Sequence, residues 1–233
     1  MVPNTPDRKT DHYTASHPDD LPQAADYTVQ QPLHLYTEQD HQTWRTLYAR
    51  QAQLLNGRAC DEYLRGLQQL RMSHERVPDF NELNDILRAH TGWQIVAVNG
   101  LVPDEVFFDH LANRRFPCTW WMRRPEQMDY LQEPDCFHDV FGHVPLLINP
   151  VFADYMQAYG EGGLKAERLQ VLPMLARLYW YTVEFGLIRE GVNVGSIMDE
   201  QRTGQQLGAI GREVLADWLA DARRFAGPQI GRA

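Results

Sequence analysis

The sequence predicts a mostly α-helical fold with small β-strands. Apolar residues recur at helical spacing in three stretches between residues 44 and 91. Only two short runs, Trp93 to Val98 and Thr119 to Met122, have the character of strands. A further long helix is predicted from Leu175 to Glu190, with Pro173 in its entry region. At 233 residues, the chain is expected to form one domain with a substantial core.

The predicted elements follow one another in this order. Residues 1–35 contain five prolines and almost no periodic apolar pattern, so we expect a mobile N-terminal arm. Apolar stripes then define three helices: Trp44, Leu47, Tyr48, Leu54 and Leu55, stopping at Asn56-Gly57; Tyr63, Leu64, Leu67 and Leu70; and Leu83, Ile86 and Leu87, ending at Thr91-Gly92. Near the C-terminus, the stripe Leu207, Ile210, Val214, Trp218, Ala222 and Phe225 predicts a helix, so segment 192–233 is expected to be helical.

Composition restricts the partners and the compartment. A net charge of −9 argues against nucleic-acid and membrane-surface partners. Three cysteines in scattered contexts imply no disulfide framework and fit a reducing cytosol. The sequence has no apolar run of about 18 residues and no signal-peptide pattern. We therefore expect a soluble, cytoplasmic protein, and a monomer.

The segment Gln132–Pro145 carries the main chemical signal. It places His138 and His143 five residues apart, and Glu184 follows later in an apolar helical stripe with Trp180. Two imidazoles and one carboxylate are the ligand set of non-heme iron(II) oxygenases. Residues five apart lie about 140° apart around an ideal α-helix. Both histidines can reach one ion only if the helix loosens between them, for which Gly142 and Pro145 provide a plausible place.

Other interpretations of these residues are open at this point. The two histidines could be ordinary core or surface residues, and Glu184 could form a structural salt bridge with Arg177. A zinc hydrolase would use the same ligand types. Its His-Glu-x-x-His motif, however, spaces the histidines four apart and supplies a general base. Asp139, which follows His138, is short for that role.

Several further segments agree in order and spacing with one family over roughly residues 35–191. They are Trp44–Leu47, Gly57–Cys60, Arg76–Phe80, Thr91–Trp93, Gly100–Pro103 and Leu111–Pro117, followed by the two-histidine run and Tyr179–Leu187. Together they resemble the pterin-dependent aromatic amino acid hydroxylases, most of all the short bacterial phenylalanine 4-hydroxylases. The resemblance implies the catalytic-domain fold of that family for residues 36–191. It also implies an iron(II)- and tetrahydropterin-dependent monooxygenase that uses O2 to convert phenylalanine to tyrosine.

The resemblance also implies roles for single residues. His138, His143 and Glu184 would ligate iron; Arg123, Asp135, Trp180 and Leu131 would bind the amino acid; and Gly100, Leu101, Val102 and Phe107 would bind the pterin. Glu133 and Asp139 would be the catalytic acids, of which Glu133 would face the pterin and the iron and Asp139 would contact the pterin through water. A guanidinium can hold a substrate carboxylate through two parallel hydrogen bonds, but an internal Arg123–Asp135 pair would satisfy the same residues. By residue type alone, Phe107 would be assigned to the core.

The sequence departs from the family pattern after Gly191. A Tyr-Gly-Ala-Gly segment and a serine pair normally follow there, and the residues from Val192 onward cannot be aligned with them. In the family the serines support an iron-ligating histidine and the substrate, and such support is commonly worth roughly 10- to 100-fold in metal affinity or activity. The alternative function is therefore a hydroxylase relative that binds iron but does not turn over.

Overall fold

A computed structural model describes residues 21–55, 58–184, 187–190 and 193–196 of the chain. Within those residues, the α-helices are α1 (Glu38–Leu55), α2 (Asp61–Gln69), α3 (Phe80–Thr91), α4 (Asp104–Ala112), α5 (Pro150–Arg168) and α6 (Leu172–Tyr179). The strands are β1 (Thr28–Val29), β2 (Gln94–Val98), β3 (Arg115–Thr119), β4 (Leu187–Glu190) and β5 (Asn193–Ser196). A first π-helix spans Phe137–His143 and a second spans Trp180–Glu184. The predicted fold class, mostly helical with small strands, is confirmed.

Local signals explain where the helices begin and end. The side chain of Asp79 caps α3 by accepting a hydrogen bond from the Asn81 N–H at 2.8 Å, and Gly92 ends it at a φ of 73°. Asn149 caps α5, and Pro150 occupies the first helical position. Helices α4 and α5 were not predicted from the sequence. In α5, three glycines at positions 160, 162 and 163 interrupt the helical pattern, although the Asn-Pro start signal was present.

The sheet has the order β1-β2-β3. Strand β1 pairs antiparallel with β2, and β2 pairs parallel with β3, with Gln94 opposite Arg115 and Val98 opposite Thr119. Helix α4 lies in the connection from β2 to β3, as a parallel pair requires. The strand predicted at Thr119–Met122 is instead found at Arg115–Thr119, because these are the residues that pair with β2.

Two further predictions differ from the structure. The helix expected from Leu175 to Glu190 ends at Glu184, and Leu187–Glu190 instead pairs antiparallel with Asn193–Ser196. Gly186 supplied a stop signal that the apolar pattern concealed. Residues 193–196 are thus a strand within the segment expected to be helical, while the helix predicted over 207–225 lies outside the described residues.

The described part of the predicted N-terminal arm is packed on the domain. Thr28 and Val29 form β1, Asp26 makes a 2.9 Å ion pair with Arg115, and the Leu21 carbonyl accepts a hydrogen bond from Asn99. Backbone pairing and polar contacts hold this stretch, so a search for apolar periodicity could not detect it. Residues 1–20 lie outside the described residues.

The core lies directly beneath the first π-helix. Phe137 stacks on Phe141 at 4.7 Å, and the edge of Trp44 meets Phe137 at 5.0 Å. Helices α4 and α5 approach closely, since a Cβ placed on Gly160 would lie 2.3 Å from the Ala112 nitrogen. Among the described residues, we find no helix with the length and apolar character needed to span a bilayer.

Candidate metal centre

The first π-helix explains how two histidines five residues apart can face one metal ion. In a π-helix each N–H bonds to the carbonyl five residues earlier, so residues five apart lie one above the other. The Nε2 atoms of His138 and His143 are accordingly 3.2 Å apart and face each other. The predicted loosening between the histidines is present, and it extends over the whole segment Phe137–His143 rather than being a local kink.

Glu184 completes the site from the second π-helix. Its Oε1 lies 3.6 Å from His138 Nε2, and its Oε2 lies 3.5 Å from His143 Nε2. Bonds of about 2.1 Å to one ion separate two ligand atoms by about 3.0 Å at a right angle and by about 3.4 Å at a tetrahedral angle. The three side chains therefore fit a single metal ion, and they form a His-His-carboxylate set.

The environment keeps His143 suited to metal binding. Burial lowers the pKa of His143 well below its ordinary value, and the nearby His138 lowers it further, so this imidazole is neutral at physiological pH. Its Nδ1 lies 3.3 Å from the Tyr179 hydroxyl, and Phe116 packs against the ring at 5.3 Å. With Nε2 turned to a metal, Nδ1–H donates to Tyr179, an arrangement that fixes the orientation of a ligand ring.

Tyr179 was not predicted to belong to the site. Tyr179 is the last residue of α6, and its partner His143 lies 36 positions earlier in the sequence, so no local pattern identifies this contact.

Arg123 and Asp135 form a buried pair next to the metal ligands. Arg123 donates from Nε to Oδ2 of Asp135 at 2.8 Å and from Nη2 to Oδ1 at 2.9 Å. The backbone N–H groups of Arg123 and His138 donate to the same carboxylate. Asp135 is completely buried, and its hydrogen bonds connect Arg123 to the start of the first π-helix. The internal pair considered in the sequence analysis exists, and the substrate role of Arg123 stays a proposal.

Asp139 is buried beside the ligands and is held by the sheet. Its Oδ2 accepts a 2.7 Å hydrogen bond from the Thr119 N–H at the end of β3. Burial raises its pKa to about 6, against the opposing effects of His138 and of the Thr119 hydrogen bonds. This buried acid therefore has one oxygen committed to the backbone of β3.

The residues predicted to bind pterin and substrate are only partly assembled around the centre. Phe107 on α4 is half-buried and contacts Tyr179 at 5.7 Å, which connects it to His143. Leu101 is 57% exposed at the start of the loop before α4. The remaining candidates are Gly100 and Val102 in the same loop, Leu131, which is buried, and Glu133, which is half-buried; the side chain of Trp180 lies outside the described residues.

A helical domain with a His-His-carboxylate centre has the ligand set of the non-heme iron class of proteins. The chain belongs to the biopterin-dependent aromatic amino acid hydroxylase family, whose profile matches residues 4–198. The resemblance noted in the sequence is thereby confirmed, and iron and a biopterin-type cofactor are the cofactors of this family.

Individual relatives are highly similar to the matched region. The chain is 76% identical over 164 residues to the phenylalanine-4-hydroxylase of Ralstonia nicotianae, covering 70% of this chain and 52% of the relative. It is 70% identical over 165 residues to that of Chromobacterium violaceum, covering 71% and 56%. A crystal structure of the Chromobacterium enzyme with iron and phenylalanine bound superposes with a TM-score of 0.71 at 63% identity, covering 75% of this chain and 63% of that one. The chain thus spans about half the length of these two curated relatives.

Proposed function

We propose that this chain is an iron(II)- and tetrahydropterin-dependent monooxygenase that converts L-phenylalanine to L-tyrosine with O2. The observation that carries the proposal is the centre formed by His138, His143 and Glu184, with ligand atoms 3.2–3.6 Å apart in a chain of this family. The names of the relatives support phenylalanine as the substrate, as does the bound phenylalanine of the Chromobacterium structure.

In this proposal the side chains bind, orient and shield, while iron(II) and the reduced pterin supply the activation of O2. The neutral imidazole of His143, the imidazole of His138 and the Glu184 carboxylate would hold the metal. Arg123, oriented by Asp135, would bind the substrate carboxylate. Leu131 and Trp180 would line the amino-acid pocket.

The proposed pterin site combines the loop before α4 with the aromatic residues around His143. Gly100, Leu101 and Val102 would present backbone groups to the pterin edge, and Phe107 would pack on its ring. Glu133 and Asp139 would face the cofactors. The half-buried position of Phe107 against Tyr179 supports this placement.

The decisive experiment is turnover of the iron-loaded chain with phenylalanine, a tetrahydropterin and O2. We expect tyrosine to form in step with pterin oxidation. Absence of product with phenylalanine, tyrosine or tryptophan, despite one equivalent of bound iron, would refute the activity and favour the impaired-relative alternative. The high identity to enzymes named phenylalanine-4-hydroxylase does not favour that alternative.

The ligand assignment is tested separately by metal analysis. His138→Ala, His143→Ala and Glu184→Ala should each remove the stoichiometric iron while retaining the fold. His90→Ala, on the exposed face of α3, is the control and should bind iron normally. Zinc can occupy the same ligands, so metal content has to be measured together with oxygen uptake.

We further propose a monomeric, cytoplasmic protein in which residues 36–191 carry the catalytic elements. Cys60, Cys118 and Cys136 are buried and unbridged, which supports a reducing compartment. Light scattering on the purified chain would test the monomer, and fractionation of the source cells would test the compartment.

A further inference from the structure

In the first π-helix, the backbone carbonyl of Phe141 cannot accept the hydrogen bond that an α-helix would provide. Phe141 lies between the two histidine ligands, and Pro145 follows it by four residues. A proline has no N–H to donate to the carbonyl four residues earlier, and its ring displaces that carbonyl. The Phe141 oxygen therefore lacks its α-helical donor, and because a buried carbonyl without a partner is unfavourable, a donor from another element would stabilise it.

Tyr63 on α2 supplies that donor. Its hydroxyl donates to the Phe141 carbonyl at 2.6 Å, in a fully buried hydrogen bond between residues 78 positions apart. Tyr63 is 3% exposed, and its ring meets the Phe141 ring edge-on at 6.2 Å. This hydrogen bond reaches the backbone two residues before His143, within the π-helical segment that lets the two histidines face each other.

Helix α2 is itself held firmly against this segment. A Cβ on Gly66 would lie 2.0 Å from the Pro145 carbonyl oxygen, so glycine permits direct backbone contact there. One turn earlier, the Glu62 carboxylate accepts a 2.8 Å hydrogen bond from Asn149, the cap of α5. With neighbours on both sides fixed, the Tyr63 hydroxyl has a defined position relative to the metal-bearing helix.

We propose that Tyr63 is a positioning residue for the metal centre. By holding the Phe141 carbonyl, it sets the backbone that carries His143 and keeps the Nε2 atom of that histidine facing His138. This inference concerns metal geometry and does not depend on the hydroxylation proposed above. It can hold in a chain that does not turn over, and it can fail in one that does.

The test is Tyr63→Phe, read out with Co²⁺ as the probe metal. The variant keeps the ring and removes only the donor, which leaves the Phe141 carbonyl without this hydrogen bond. We expect Co²⁺ affinity to fall by about 10-fold, in the range for lost support of a ligand. The visible absorption bands of the bound Co²⁺ should also change, while the circular dichroism of the metal-free protein stays native.

The matched control is Thr91→Val. Thr91 also donates from a buried hydroxyl to a backbone carbonyl, that of Leu147 at 2.9 Å, but this carbonyl lies four residues beyond His143. Thr91→Val should lose stability without a change in Co²⁺ affinity or spectrum. If Tyr63→Phe binds Co²⁺ as the native chain does, or if both variants lose affinity equally, the positioning role is overturned.

A second variant tests the role of the donor at position 63 even if Tyr63→Phe is unstable. Replacing Tyr63 with 4-aminophenylalanine retains a hydrogen-bond donor at the same place on the ring. Co²⁺ affinity within about twofold of the native chain supports the proposal, since about 10-fold is the loss expected without the donor. A loss of that full size in spite of the retained donor would overturn it.

Discussion

Asp135 has no contact with solvent, and its two oxygens accept four hydrogen bonds, three from Arg123 and one from the His138 N–H. Burial by itself would raise its pKa, but the hydrogen bonds and charge of Arg123 outweigh that effect and hold the pKa below its ordinary value. The carboxylate is therefore charged in the folded protein, and its loss would remove the charge that balances the buried Arg123 guanidinium.

We predict that Asp135→Asn lowers the free energy of unfolding by about 3–5 kcal/mol, the usual cost of removing one partner of a buried ion pair. Asp129→Asn is the matched change in the exposed ion pair with Arg50, at 2.8 Å, and should cost less than about 1 kcal/mol. Urea denaturation of both variants measures the difference. Similar losses in the two would show that burial does not decide the strength of the Arg123–Asp135 pair.

His110 is a second buried polar residue, remote in sequence from the metal ligands. Its Nε2–H donates to the Asp26 carbonyl at 2.8 Å, while Nδ1 has no hydrogen-bond partner among the described residues. Burial lowers the pKa of His110; the Asp26 carbonyl opposes this and the Arg115 charge adds to it, while the charges of Asp26 and Asp109 also oppose it. The neutral ring therefore helps to hold the Asp26 segment to α4.

The lowered pKa of His110 in the folded state determines the direction in which the free energy of unfolding changes with pH. Below about pH 6.5, the ordinary histidine value, the unfolded chain binds a proton at His110 more readily than the folded chain. The contribution of His110 is therefore complete above that pH and is lost as the pH falls. We predict that His110→Gln flattens the fall in unfolding free energy between pH 7.5 and 5.5. His90→Gln, on the exposed face of α3, is the control, and an equal flattening there would contradict the argument.

At the scale of elements, the contact between α4 and α5 depends on which glycine of α5 faces the neighbouring helix. A Cβ on Gly160 would lie 2.3 Å from the Ala112 nitrogen, whereas a Cβ on Gly162 would meet only Leu175, at 3.8 Å. Both residues lie within the same helix. Alanine is favoured over glycine in a helix by about 1 kcal/mol when nothing obstructs it.

The two substitutions should consequently have opposite signs. Gly162→Ala should raise the free energy of unfolding by about 0.5–1 kcal/mol, because it reduces the freedom of the unfolded chain at no steric cost. Gly160→Ala should lower it by about 1–3 kcal/mol, because the helices have to move apart. Thermal denaturation of the two variants gives the signs directly. A stabilising Gly160→Ala would mean that α4 and α5 are not in such close contact.

How far the sequence predicts an element depends on how the element is held. Helices α1 to α3 and strand β2 were predicted because their apolar residues follow a regular period and end at clear stop signals. Helix α5 was missed because its glycines serve close packing rather than helix propensity. Strand β1 was missed because backbone pairing with β2, and not an apolar pattern, orders it.

The same distinction applies to the candidate site. The residue types of His138, His143 and Glu184 and the family resemblance were enough to predict the set that the fold brings together. Tyr63 was noted only as part of an apolar stripe, because its partner is a backbone carbonyl 78 residues away. Contacts of that kind depend on how α2 packs and leave no local pattern in the sequence.

At the scale of the whole molecule, a bound metal would join parts of the chain that are far apart in sequence. His143 and Glu184 are separated by 41 positions and lie on different π-helices. A ligand that binds only the folded state stabilises it by about 2.7 kcal/mol at a free concentration 100 times its dissociation constant. The stability of the domain should therefore depend on its metal content.

We predict that Fe²⁺ or Co²⁺ raises the midpoint of thermal unfolding and that a chelator reverses the increase. Glu184→Ala should abolish the response, because it removes the connection from the second π-helix. The unaltered metal-free chain provides the baseline in each scan. A midpoint that does not respond to metal in the native chain, or that responds equally in Glu184→Ala, would contradict the link between the two helices.

The width of the first π-helix has a consequence for how such sites are recognised across proteins. A π turn accommodates one residue more than an α turn does. The pair His138 and His143 is thus geometrically equivalent to two histidines four apart on an ordinary α-helix, with a single residue inserted between them. Gain or loss of that residue together with a change of helix type would leave the ligands facing each other. A one-residue gap in an alignment can therefore hide shared ancestry or shared chemistry between two helical metal sites. The direction in which the ligand side chains point is a better guide than the number of residues between them.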